Sequence, residues 1–332
     1  MAKKRDPQKR KRQPRGHNGP VDLHGAPLPA NAGVQDWYAR KLGGLAKAVA
    51  SATQKAAERI AAEGGTPADF YNYASGSLEE RIMAMFEKKA SQMAEGMLAQ
   101  SVEAGAASLG ESFRAMAGEA KKTSAAQAAP GGLPKAAVVP GGKAVGAERN
   151  LKALARRMAL PVNFSAEMTE GLRGFVQENV KLINSIASRH KNKIREAVLR
   201  SITEGQGLKD LIPEIERIGK VTRERAHFIA MDQTRKANAF IGKQKMKEAG
   251  IRKFRWRHSR GSEVPRVYHE MPWNEDGTGG LNGGVFHLDN PPVIDLRTGE
   301  RGLPGQLINC RCSMEPVIDF MEAEQMEIGA NE

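Results

Sequence analysis

At Gly250 the spacing of apolar residues changes from the period of a helix to the period of a strand, and this limits the fold to one class. Before that point Met168, Leu172, Phe175, Ile183, Ile186, Ile194 and Val198 recur near every 3.6 residues, which predicts a helix from a Ser165 N-cap to about Thr203. Gly205 and Gly207 end it. A short helix over 208–218 and a third over 222–248 follow, the last stopped by Gly250 in the C′ position. After Gly250, Phe254, Trp256 and His258 alternate with Lys253, Arg255 and Arg257. The segment 251–258 is therefore a strand with one apolar and one basic face. Residues 285–289 and 307–313 are further candidate strands, 293–296 is a weaker one, and the Gly-rich 277–284 is a turn region. The expected class is α+β: a helix-rich N-terminal part, then a C-terminal domain of three or four helices followed by a small sheet with long irregular loops.

The rest of the chain divides by composition. Residues 1–34 read as a disordered basic tail, because a dense Lys/Arg block and scattered Gly and Pro offer little apolar surface to offset chain entropy. Residues 35–124 form a helical region. It is Ala-rich up to Glu63, is broken at Gly64-Gly65-Thr-Pro67, and resumes at Ser77-Leu-Glu-Glu80, which has the form of a capping box. Ile82, Met85, Phe86, Met93 and Met97 share one face of that second helix. Residues 125–147 are an Ala/Gly/Pro linker and the expected domain boundary. The C-terminal domain then covers 148–317, and 318–332 is an acidic tail.

Charge and cysteine usage bound the function. The formal net charge is +13, yet from Ser313 onward there are six acidic residues and no Lys or Arg, so residues 1–312 carry +19. Polyanions are the default partners of such a surface, and the acidic end can dock on the basic body or on a basic partner. Two cysteines in 332 residues point to a reducing compartment and away from a disulfide scaffold. No apolar run approaches the ~18–20 residues a bilayer needs, so no membrane contact is expected, and the chain reads as cytoplasmic during synthesis.

Several small motifs recur in a fixed order: Gly205-x-Gly-Leu-Lys-Asp-Leu-Ile, Arg225-Ala-x-x-Ile-Ala230, Thr234-Arg-x-Ala-Asn238, Gly250-Ile251, Trp256, Arg266-x-x-His269, Pro304-Gly305, and Asn309-Cys-Arg-Cys312 with Pro316. Over roughly 167–317 this order resembles the phage Mu F-like family of minor head proteins of tailed bacteriophages. Two places depart from the family pattern: Ala230-Met-Asp232-Gln-Thr234 stands where the family usually reads Ala-Arg-Thr-Glu, and Ser259-Arg-Gly-Ser-Glu263 replaces an acidic residue. The resemblance implies a structural, non-enzymatic minor capsid protein that acts in procapsid assembly inside the head. Its implied partners are the portal protein and capsid or scaffold proteins.

The residues themselves leave several chemistries open. On a strand, Cys310 and Cys312 would share a face about 6.6 Å apart, at a rise of ~3.3 Å per residue. That is too far for a disulfide, which needs Cβ atoms within roughly 4.5 Å. They can share a metal only if the segment turns, since Zn–S bonds are about 2.3 Å. The readings are plain packing of two small residues in a sheet, a zinc site completed by His269 or His287, or a Cys312 nucleophile activated by His269. The alternative function is accordingly a metal-dependent nucleic-acid-processing enzyme using Cys310, Cys312 and His269. Otherwise no cofactor is expected, and His269, Arg266 and Asn309 read as residues that bond into irregular loops. Asp232, Glu224 and Glu248 read as a solvated helix face. For double-stranded DNA the candidates are Lys3, Lys4, Arg5, Lys9, Arg10, Lys11, Arg12 and Arg15, which would bind phosphates without reading sequence. The row of Lys253, Arg255 and Arg257 either adds to this or protects an edge strand from aggregation.

Overall fold

The computed structural model describes residues 21–128, 145–158, 166–260, 266–274, 276 and 278–326. The described chain runs β1 (Asp22–His24), α1 (Ala32–Ala62), α2 (Pro67–Ser75), α3 (Ser77–Ala128), α4 (Val145–Met158), α5 (Ala166–Thr203), α6 (Leu208–Glu248), β2 (Lys253–Arg257), α7 (Val267–Glu270), β3 (Val285–His287), β4 (Val293–Asp295), β5 (Glu300–Arg301), β6 (Ser313–Asp319) and α8 (Phe320–Gln325). Helices precede a small antiparallel sheet, as the change of period at Gly250 predicts.

Local chemistry sets most of the helix ends. Asn31 caps α1 by accepting a bond from the Val34 amide at 3.1 Å. The capping box forms at Thr66 and Asp69, opening α2. It does not form at Ser77, which already lies inside α3, where the Glu80 amide bonds to the Gly76 carbonyl. Ser165, the expected cap of α5, falls outside the described residues. The two helices expected over 208–218 and 222–248 are one helix, α6. Gly219 does not break it, because a Cβ there would come within 2.8 Å of the Ala50 Cβ, so the glycine serves close contact between α6 and α1.

Two hydrophobic cores result, and α3 and α6 run through both. The first holds Tyr38, Leu42 and Val49 of α1, Phe86 and Met97 of α3, Ile183 and Ile194 of α5, and Ile229 and Ile241 of α6. The second holds Phe113 and Met116 of α3, Leu151 of α4, Met246 of α6, Phe254 and Trp256 of β2, and Met314 and Ile318 of β6. Residues on either side of the expected linker therefore share both cores. Positions 129–144 of that linker lie outside the described residues, and α4 begins at Val145 within its expected span.

The four-stranded sheet has the order β1-β6-β2-β3, with Asp22 opposite Asp319, Arg255 opposite Glu315, and Lys253 opposite His287. Residues 21–31, expected in the tail, contribute β1 and the buried Leu23 and Leu28. Gly25 is required at that entry, since a Cβ would come within 1.9 Å of Ser112 Oγ. Residues 318–326, expected in the acidic tail, complete β6 and form α8. Asp319 caps α8, and Asn150 of α4 donates to the Ala323, Glu324 and Met326 carbonyls. Among the described residues no helix is long and apolar enough to cross a membrane.

A buried histidine joins three helices. His190 of α5 lies 3.0 Å from Thr53 Oγ1 of α1 and 2.9 Å from Thr222 Oγ1 of α6. Each threonine also donates to the carbonyl four residues back, Val49 and Ile218. A neutral ring carries one N–H, so one hydroxyl must leave its carbonyl to donate to the other ring nitrogen. Burial pushes the His190 pKa down from 6.5 to about 4. Because the folded state binds the proton less well, stability is complete above pH 6.5 and falls as pH drops toward 4, by roughly 3 kcal/mol in all. Denaturant melts at pH 7 and pH 4.5 should show this loss in the wild type and a smaller one in His190→Gln. Equal losses would remove His190 as the cause.

Candidate functional site

The segment carrying both cysteines is a turn, and the strand expected over 307–313 begins only at Ser313. The Cys310 amide bonds back to the Leu307 carbonyl at 2.9 Å. Asn309 has a φ of +60 and Gly305 one of +87, conformations that favour Asn and Gly. The turn is held from two sides. Asp232 of α6 accepts from the Asn309 amide at 3.1 Å, and Arg266 donates to the Ile308 carbonyl at 2.8 Å. Asp232 is not on a solvated face: it is 5% exposed and also pairs with Lys236 at 3.0 Å. Nothing in the local sequence separates it from other charged helix residues, apart from its place in the motif that departs from the family pattern.

The turn brings the two sulfurs onto one histidine. Cys310 Sγ is 3.6 Å and Cys312 Sγ 3.9 Å from His269 Nδ1, and the three ligand atoms all lie within 4.8 Å of one another. The other ring nitrogen, Nε2, lies 2.8 Å from the Ile294 carbonyl and can only donate to it. A neutral ring therefore presents a bare Nδ1 to the sulfurs. The Trp256 ring meets His269 edge-on at 5.0 Å, and the Gly305 amide donates to Cys310 Sγ at 3.4 Å. His269, Cys310 and Cys312 are all buried, while Cys312 also borders a cavity lined by Arg235, Asn238, Pro304 and Gly305. His287, the other candidate ligand, is on β3, about half exposed and facing Asp289.

Hydrogen bonding makes the two thiols unequal. Cys310 is pulled down, first by the proton that Cys312 donates to it, against burial, with further help from the Gly305 amide. Cys312 is pushed up by that same donation and by burial, while the Trp256 indole N–H works the other way. The trio can relay a proton from sulfur to imidazole or, with both thiols ionised, hold a soft cation.

The basic row on β2 does not have the edge-protecting role that was one of the two expected of it. β2 is an inner strand of the sheet, so the row protects no edge. Arg255 and Arg257 both pair with Glu315 of β6, a carboxylate only 1% exposed. Arg255 also donates to His24 Nε2 of β1 at 2.9 Å, which requires a neutral imidazole. Burial and then the Arg255 charge lower that histidine's pKa. Glu315 thus ties β1, β6 and β2 together. The DNA candidates from Lys3 to Arg15 lie outside the described residues.

Trp256, His269, Asn309, Cys310 and Cys312, scattered over more than fifty positions, meet at one point, with Asp232 and Arg266 fixing the turn. Residues 192–315 match the family model for Phage Mu protein F like protein. The Mu F-like segment thus contains every residue of the cysteine–histidine cluster and of the turn that builds it. An uncharacterized protein of Haemophilus influenzae is 34% identical over 158 residues, which cover 48% of this chain and 32% of that protein. The chain therefore spans about a third of the length of this curated relative. No solved structure matches it.

Proposed function

We propose that this chain is a structural minor capsid protein of a tailed bacteriophage, acting in head morphogenesis near the portal and contacting packaged DNA. The observation that carries this reading is the match of residues 192–315 to a phage-protein family, a segment that contains a buried, internally bonded cluster. A reaction centre for nucleic acid would need a phosphate within reach of His269 and the sulfurs, which are 2%, 3% and 8% exposed. Burial of that kind suits a cross-link between loops. The basic block from Lys3 to Arg15 is the part suited to DNA, and the expected location is the capsid interior after assembly in the host cytoplasm.

The test is made in phage-producing cells. Purified heads should contain the chain at low copy number, and chemical cross-linking of intact heads should join it to the portal protein. Heads that assemble and package DNA normally without its gene, and that never contain the chain, would overturn the proposal.

A further inference from the structure

We propose that His269 Nδ1, Cys310 Sγ and Cys312 Sγ bind one Zn(II) ion that staples the irregular loops of the C-terminal sheet. With Zn–S bonds of about 2.3 Å and Zn–N bonds of about 2.0–2.1 Å, tetrahedral ligands sit roughly 3.6 Å apart for S and N. The observed separations from Nδ1 are 3.6 and 3.9 Å, and the two sulfurs lie within 4.8 Å of each other, against about 3.8 Å for two sulfurs on one tetrahedral zinc.

The surroundings suit the ion as well as the distances do. A ligating histidine ordinarily donates its second ring N–H to a carbonyl or carboxylate, and His269 Nε2 has the Ile294 carbonyl in that place. The Gly305 amide already points at Cys310 Sγ, and the Trp256 indole N–H, which bears on Cys312, is buried beside His269. Thiolates accept such bonds better than thiols do. With both sulfurs ionised, two thiolates, a dication and a neutral imidazole make a site of zero net charge. That balance limits the cost of burial. Three protein ligands leave one position, and the cavity bordered by Cys312 supplies a route for the water that completes the tetrahedron.

The ion would join segments that otherwise hold together by few regular bonds. His269 belongs to the four-residue α7, Ile294 to β4 of a two-stranded hairpin, and the cysteines to a turn fixed on α6 by Asp232. The first core, around His190, involves none of them.

Full-length protein purified without chelators should carry about one zinc per chain by elemental analysis, and the Cys310→Ser/Cys312→Ser double variant and His269→Gln should carry less than about a tenth of that. Wild-type protein stripped by a chelator and supplied with Co(II) should develop a thiolate-to-cobalt charge-transfer band and the visible bands of tetrahedral cobalt. Amide exchange of 266–312 should speed up on stripping, while that of the first core stays the same. This cobalt spectrum needs no variant, so it decides the matter even if the substitutions prevent folding. Folded, stripped wild-type protein that gives no thiolate–cobalt band overturns the site. So do zinc retention by a folded double variant and a disulfide between the two sulfurs in freshly purified protein.

Discussion

Ile229→Asp is expected to abolish the cooperative unfolding transition of the full-length protein. Ile229 lies in the middle of α6, 4% exposed, between Ala226 and Ala230, which are fully buried, and inside the core shared by α1, α3 and α5. A carboxylate there either stays charged without a partner or takes up a proton at a strongly raised pKa. Both alternatives, with the lost apolar contact, should cost more than about 4 kcal/mol. Against a typical total of about 5–15 kcal/mol, that removes most of the native population. Ile229→Val is the control: it deletes one methyl group and should cost only about 1 kcal/mol. Thermal melts followed by circular dichroism read both. An Ile229→Asp protein that melts as sharply and as high as the control would show that this face of α6 does not face the core.

That face was legible in the sequence because helical periodicity is a local signal. Ala226, Ile229, Ala230, Ala237 and Ile241 are all buried, as their spacing predicts. The alternation of Phe254 and Trp256 likewise placed β2 and its inward face. What local pattern hides is any partner distant in the chain. β1 is three residues long and exists because Asp22 pairs with Asp319, a register that no short window contains. Around Asn309 the apolar alternation reads as a strand, but bonds from Asp232 and Arg266 make it a turn, and that turn is what brings Cys310 and Cys312 to His269. The two helices expected over 208–218 and 222–248 are one for a similar reason, since Gly219 allows α1 close to an unbroken α6. The ordered motifs therefore marked the right residues, while their convergence depends on contacts spread over the whole segment.

Removing residues 1–15 is expected to change the salt dependence of DNA binding more than any other alteration of this chain. The block holds eight Lys and Arg side chains. Each phosphate neutralised on duplex DNA adds about −0.9 to the slope of log K against log salt, so full engagement gives a slope near −7. Binding would then weaken by about three to five orders of magnitude between 50 and 200 mM salt, and the truncated protein should lose most of that dependence for all sequences alike. The row on β2 cannot take over this role in full, because Arg255 and Arg257 already pair with Glu315. The acidic end is also smaller as a free charge than its composition indicates. Glu315 and Asp319 are built into β6 and the start of α8, so truncation at Ser313 would remove the strand between β1 and β2 and unfold the sheet. Truncation after Met326 removes only two of the six acidic side chains, Glu327 and Glu332, and should strengthen DNA binding slightly at low salt. If the basic block instead docks on an acidic protein surface inside the head, deleting 1–15 leaves the DNA slope unchanged and lowers incorporation into procapsids. Fluorescence anisotropy titrations at several salt concentrations, with head incorporation measured for the same truncated protein, separate the two. An unchanged slope would rule out the basic block as the DNA contact.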